Sequence, residues 1–497
     1  MKNNRKTAAL VLAMILAAGA FSSCGKNEDV KKNDTKTHDD SQNSAVSETD
    51  GETNNEEPAD KSEVFELPDD VRFDGDTFHA YIALSTRGPE YKRAEETGDM
   101  LNDAIFARNE RVKARLGIDL DFVVSTLTTS GGDQQTETQK ISSLILAGDT
   151  TYDAYVHVQH SGMPGLISEG MFIDWNSIPY INLDKAWWYS NTKRDINFGN
   201  KVFCMTGDYN LSSFSGTECL AFNKTMLDEL ELEYPYQSVF DGTWTHDKFV
   251  EYINAATKDL NGDGQLDTDN DRYGFGGWQC EQIPALYIGY GGQTLKKDDN
   301  DMPVLNIYSV QQNNVIDKAI EVVKLPGTLA EGKTYGLDDK MFEEGRLLFN
   351  DSFLGMITGM RNYEDDIGFI PYPKLDEAQE SYYSRTGNTS CLTYLPITLS
   401  EDRFPLVGAT LESMAYYSHI EVLPKYFDTI LTVQSTRDVE SEQMIPIIKN
   451  SSRFNDEAIG FSAANIILSG QNTLASQWMS SRTMYEEKLA TLIKTYK

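Results

Sequence analysis

Positive charge is scarce in this chain. Its 497 residues carry 44 Lys+Arg against 77 Asp+Glu, a formal net charge of −33. Nucleic-acid binders cluster Lys and Arg, so that partner class is excluded. An anionic membrane surface is an equally poor partner for the folded part. Past the N-terminus no run reaches the roughly 18 apolar residues that a spanning helix needs. Cysteine is scarce too, five in all, and the absence of any Cys-x-x-Cys removes the zinc and thioredoxin readings. Cys204, Cys219, Cys280 and Cys391 are expected as buried free thiols. The six His are scattered, and His157 with His160 reads as loop polarity rather than a metal pair. The G-x-S-x-G, H-E-x-x-H and G-x-G-x-x-G patterns are missing. Paired carboxylates of a glycosidase stay open, because 77 acids offer too many pairs.

What is present begins with the N-terminus. Lys2, Arg5 and Lys6 precede an apolar run from Ala8 to Ala20, the length of a signal-peptide core and too short to span a bilayer. Phe21-Ser22-Ser23-Cys24 follows, and small residues just before a cysteine resemble a bacterial lipobox, with Phe21 in place of the usual Leu. Residues 1–23 therefore read as a signal peptide and Cys24 as the lipidated residue, whose two acyl chains give stable anchoring. Gly25 to Ser62 is almost wholly polar and cannot bury enough surface to offset its ordering entropy. Residues 24–74 are read as lipidated Cys plus a disordered tether.

The body that follows is expected to be α/β. Phe78 to Leu84 reads as a buried strand; Leu101, Ile105, Arg108, Val112 and Leu116 lie at helical spacing, ended by Gly117. Ile118 to Val124, a helix face from Ile141 closed by Gly148, and Tyr152 to Val158 complete a strand–helix–strand–helix–strand order, the pattern of a parallel sheet. The last third reads as helices over 404–417, 422–433, 440–449, 456–468 and 476–496. Gly327 to Thr334 satisfies the phosphate-loop pattern, but Val315 to Leu325 before it is helical in period and Glu331 would face the phosphates, so it reads as a chance match. The acidic loop Asp259 to Asp271 is a better candidate. Asp259, Asn261, Asp263, Gln265 and Asp267 fall at calcium-ligand spacing, Gly264 permits the turn, and Asp271 stands one place beyond the usual closing acid, Asn270 occupying that place. A structural Ca2+ ion is expected there.

Trp175, Trp187, Trp188, Tyr209, Trp278, Tyr287, Tyr290, Tyr382 and Tyr383 lie in or near Gly-containing loops, where aromatic faces stack on sugar rings or simply fill a core. Five segments then carry a resemblance: Leu220-Ala221-Phe222-Asn223-Lys224, Gly242-Thr243-Trp244-Thr245-His246, the acidic loop running into Tyr273-Gly274-Phe275, Phe342-Glu343-Glu344-Gly345-Arg346 and Gly368-Phe369-Ile370-Pro371-Tyr372-Pro373. In this order, over about Phe78 to Leu492, they resemble the extracellular solute-binding proteins of ABC importers, sugar-binding branch.

The resemblance implies two α/β lobes of the type 2 periplasmic-binding-protein fold joined by hinge strands, mapped here as 75–210 plus 397–435 and 211–396 plus 436–497. It implies a ligand in the interlobe cleft, beyond the carboxyl ends of the strands. The residues so placed are Arg87, Gln159, Asp208 and Tyr209 from one lobe, Trp278 and Gln279 from the other, and Tyr383 and Arg385 near the return crossing. It further implies a non-enzymatic monomer, lipid-anchored on the outer face of a bacterial membrane, that hands a carbohydrate to ABC permease subunits. The same fold binding a peptide or other polar solute, or a surface glycosidase, are the alternatives.

Overall fold

The parallel order expected from the first half of the chain forms. In the computed structural model, which describes residues 63–329, 336–434, 439–454 and 458–497, strand β1 (Thr77–Ile82) pairs in parallel with β2 (Asp119–Val124) and with β3 (Ala154–Val158). All five positions of β3 are buried, as a parallel strand covered on both faces requires. The Met100–Leu116 helix connects β1 to β2. The Asp99 side chain accepts the Asn102 N–H at its start, and Gly117 ends it at φ 72°, a conformation glycine adopts without strain. Ile105, Val112 and Leu116 face inward as their spacing predicts. The Gly131–Leu146 helix, capped by Ser130, leads to β3.

The second sheet is mixed. Strand β4 (Glu218–Asn223), buried at every position, pairs with two antiparallel neighbours. The remaining strands are β5 (Tyr273–Gly276), β6 (Thr328–Leu329), β7 (Leu347–Phe353) and β8 (Ile367–Ile370), in the order β8-β4-β7-β5-β6. The Asn223 side chain accepts the Met226 N–H, which turns the strand directly into the Lys224–Glu229 helix. The phosphate-loop lookalike starts as the edge strand β6, behind the helix Val310–Val323; its residues 330–334 lie outside the described ones.

Strand β9 (Cys391–Tyr394) returns to the first sheet, antiparallel to β3. The crossing drawn at residue 397 is therefore complete by Cys391. The helices Phe404–Tyr417 and Leu423–Gln434 are joined by a π-helical turn, Ser418–Val422, whose Ser418 hydroxyl accepts from the buried Arg108. The helix expected over 456–468 is shorter, Ala463–Leu468, because Gly460 at φ 71° turns the chain ahead of it. Val439–Asn450 and Leu474–Tyr496 complete the helical third.

Residues 63–74, expected within the tether, pack on the body instead. Phe65 stacks on Tyr416 with ring centroids 4.3 Å apart, Leu67 is buried, Glu66 pairs with Lys185 at 3.2 Å, and Arg115 binds the carbonyls of Leu67, Pro68 and Val71. Residues 1–23, expected as a signal peptide, and Cys24, expected as the lipidated residue, lie outside the described residues. Among those that are described, no helix is long and apolar enough to cross a membrane.

The core forms around each sheet. Phe78, Ile82, Val112, Trp175 and Trp187 pack by the first. Phe222, Trp244, Phe249, Phe275 and Phe349 pack by the second. Of the aromatic residues weighed as sugar platforms, Trp175, Trp187, Trp188, Tyr209, Tyr287, Tyr290 and Tyr382 are buried in these cores, whereas Trp278 stands 47% exposed. All four cysteines of the body are free, and Cys280, expected to be buried, is exposed.

Candidate functional site

Because β5 and β7 are parallel and β4 runs against them, the carboxyl ends of the first two meet the start of the third. Gly276-Gly277-Trp278, Asp351 and Glu218 thus share one edge of the second sheet. Gly277 is needed there, since a Cβ would lie 2.4 Å from that of Asp351. Trp278 then caps the Gln279–Gly289 helix and places Glu281 in its first turn. A short parallel ribbon, Ser384–Arg385 against Ser452–Arg453, delivers Arg385 to this edge.

Arg385 is buried and forms ion pairs with Glu218, at 2.5 Å, and with Glu281. It also donates to Asn388, whose amide donates in turn to Glu281 at 3.0 Å. Asp351 accepts from the Tyr372 hydroxyl at 2.5 Å. Burial pushes the Glu218 carboxyl well above the usual carboxylate range, with the Arg385 charge opposing it. Burial does the same to Asp351, against the Tyr372 hydrogen bond.

From the first sheet, β3 runs out into Gln159 and His160. Gln159, His160, Arg385, Asn388, Ser390 and Phe454 line one recess, so the carboxyl end of β3 faces the ribbon that carries Arg385 there. Burial and the Arg385 charge hold His160 down to about 4, leaving it neutral at physiological pH. A second recess of about 330 Å³ continues past Cys280, Tyr287, Arg385, Asn388 and Phe461.

The structure thus brings Gln159 and Arg385 together, with Trp278 on the same sheet edge as the Arg385 partners. Gln279 opens the helix behind Trp278. Tyr383 lies farther out, under the Arg453 guanidinium at 4.3 Å. The other three are occupied elsewhere. Arg87 pairs with Glu90 at 3.2 Å, the Asp208 carboxylate pairs with His419 at 2.7 Å, and the buried Tyr209 donates to Thr393 at 2.9 Å. Sequence reading missed His160, Glu218, Glu281 and Asn388. The position of Glu281 three residues after Trp278, on the first turn of a helix, was the available signal.

His157 corrects the reading as loop polarity. It sits fully buried in β3, its Nε2 within 3.0 Å of the Gln134 carbonyl, and burial holds it down to about 4 against an ordinary 6.5. A depressed histidine contributes stability that is complete above pH 6.5 and is lost as pH falls towards 4. That is up to about 3 kcal/mol. His157→Gln is expected to remove this part of the acid sensitivity in melting curves at pH 7.5 and pH 4; identical acid sensitivity in both proteins would refute the assignment.

In the acidic loop, the Asp259 carboxylate accepts the N–H groups of Gly262 and Gly264, Asn261 accepts that of Asp263, and Asp263 accepts that of Gln265. Asp267 accepts from Asp269 and Asn270, while Asp271 ties the loop ends through Leu260 and Asp267. The oxygens are of the kind calcium takes. Their positions are set by these backbone bonds, and among the described residues no three His, Cys, Asp or Glu side chains converge to hold a metal ion.

Comparison with known proteins bears on the whole arrangement. The profile described as bacterial extracellular solute-binding protein matches residues 113–391, more than half of the chain. Among solved structures, an ABC substrate-binding protein from Listeria monocytogenes in complex with cycloalternan is similar at 12% identity and a TM-score of 0.50, over 84% of this chain and 99% of that one. UspC from Mycobacterium tuberculosis is similar at 11% identity and a TM-score of 0.51, over 84% of this chain and all of that one (100%). A search of curated proteins found no match. The two sheets and their crossings are the two-lobe periplasmic-binding-protein fold. The chain belongs to the bacterial extracellular solute-binding protein family, binding proteins that deliver a ligand to ABC permeases.

Proposed function

We propose that this protein captures a carbohydrate, an oligosaccharide in particular, in the cleft between its lobes and passes it to an ABC permease without turning it over. Acylation at Cys24 would hold it on the outer face of the bacterial membrane. The observation that carries the reading is the recess where Gln159 and His160 of one lobe meet Arg385 and Asn388 of the other. A ligand that touches both sides only when they are shut draws the open–closed equilibrium to the closed state. The exposed Trp278 ring offers an aromatic face for a sugar, and amide and guanidinium groups offer hydrogen bonds to its hydroxyls. The Listeria neighbour, solved with cycloalternan, supports the ligand class.

A thermal-shift panel of sugars, polyols and peptides tests this. A bound ligand at 100 times its Kd adds about 2.7 kcal/mol of stability. One sugar family is expected to raise the melting temperature and to be recovered intact, and Trp278→Ala to abolish the shift. A peptide hit alone would replace the ligand class, and a sugar that is consumed would make the protein a glycosidase.

Calcium at Asp259, Asn261, Asp263, Gln265, Asp267 and Asp271 is the second part of the proposal. An ion would have to draw these oxygens inward from their backbone partners, which Gly262 and Gly264, both at positive φ, leave the loop room to do. Chelation with EDTA is then expected to lower the melting temperature by several degrees, reversed by added calcium. An unchanged melt would remove the ion from the description.

A further inference from the structure

A cavity of about 680 Å³ lies outside the recess that joins the lobes. Its walls come from the turn after the Gln279–Gly289 helix, the start of the Val310–Val323 helix, the loop around Gln379, and Tyr383, Arg453 and Asp195. It abuts the cleft on two sides. Phe454 lines both it and the Gln159–Arg385 recess, and Ile288 with Thr294 lines both it and the recess at Cys280.

From these shared walls, the geometry points to the cavity as an end subsite for the cargo, so that the ligand is a neutral oligosaccharide longer than the cleft itself. This rests on the carbohydrate reading above and adds its length and charge. Three features of the cavity carry it.

The volume, about 680 Å³, lies within the roughly 300–1,000 Å³ of small-ligand sites. The floor here is the buried Tyr290, Thr294 and Leu295; the rim is exposed amides. Second, Gly291 keeps one spot open. A Cβ there would lie 3.6 Å from Gln379 Oε1, 3.7 Å from the Tyr383 ring edge and 3.8 Å from Gln311 Nε2. The Gln379 oxygen, which also accepts the Leu375 N–H at 3.1 Å and keeps a second lone pair, an aromatic edge and a donor therefore face one point, the set a sugar hydroxyl and ring would meet. Gln311 spends its oxygen on Lys296 at 3.2 Å, which turns its N–H donors to the cavity. Third, the charges exclude an anion. Arg453 is paired with Asp195 at 3.0 Å, and Asp376 and Glu380 outnumber the one remaining cation, Lys296.

The test measures affinity of the full-length protein for α-linked and β-linked glucose and xylose oligomers, from disaccharide to hexasaccharide. Within the bound series, affinity is expected to rise about tenfold, or 1.4 kcal/mol, once the chain outgrows the cleft. Ala378→Trp, an exposed wall position, fills the cavity and is expected to erase that rise while leaving disaccharide affinity intact. Gln311→Ala, a milder change on the same wall, should reduce it. Sugars that bind equally at every length, or a rise that both variants retain, would overturn the subsite and leave the carbohydrate reading standing. If no saccharide binds, both fall.

Discussion

Arg385→Ala is expected to destabilise the protein by about 3–5 kcal/mol, the usual cost of removing one partner from a buried ion pair. The reason is the company Arg385 keeps. Glu218 is fully buried and Glu281 is 4% exposed, and both bond this guanidinium. Without it, two carboxylates lose their counter-charge where water cannot replace it. The loss should depend on pH in a defined direction. Burial already raises the Glu218 carboxyl, and Arg385 is the largest opposing influence. Its removal raises that carboxyl further, so stability held at low pH is lost as pH rises through the folded-state value. The deficit against wild type should therefore shrink between pH 7.5 and pH 5. Arg385→Lys keeps the charge but not the planar fork and should fall between the two. Denaturant unfolding at both pH values decides it. A deficit below about 1 kcal/mol, or one indifferent to pH, would mean the carboxylates are not uncompensated as described.

Trp244→Ala is expected to cost about 3–5 kcal/mol as well, by a different route. Trp244 is wholly buried, with the rings of Phe249, Tyr252 and Phe349 all within 6 Å (5.8, 5.9 and 5.7 Å between centroids), and its indole donates to the Pro371 carbonyl at 3.1 Å. Alanine leaves a cavity and an unsatisfied acceptor together. Unlike the Arg385 variant, this one should lose the same amount at both pH values, because no titrating group lies at its centre. Trp244→Phe, which keeps most of the volume, should recover a large part. Near-native stability of the alanine variant would show that the surrounding rings can close over the gap.

Trp244 also shows what in this sequence was readable. It lies in one of the segments that carried the family resemblance, and its role is packing. Ile105, Val112 and Leu116 were readable for the same reason: helical spacing marks a buried face whatever the tertiary context. Local chemistry made the ends readable too, as with Gly117 beyond the first long helix. The cleft was only half visible. Gln159 and Trp278 follow strands and could be placed by the rule for sheet edges. Glu218, Glu281 and Arg385 meet across separations of 104 and 167 residues, and no local pattern marks which of so many acids will find the one guanidinium. Asp208 and Tyr209 show the converse. Both precede β4, the first strand of the second sheet, but Asp208 Oδ2 pairs with His419 and the Tyr209 hydroxyl donates to Thr393. The long acidic loop reads clearly as a turn-rich segment, while the part its carboxylates play depends on where backbone N–H groups point.

The docking of residues 63–74 on the first sheet has a mechanical consequence. Phe65 under Tyr416, Leu67 in the core and three carbonyls on Arg115 form a fastening on that lobe alone. Force arriving through the N-terminal side is borne there, and the lobe built on β4, β5 and β7 lies off the load path. With one lobe moored by these contacts, a pull from the N-terminal side reaches the second lobe only through the crossings between the sheets.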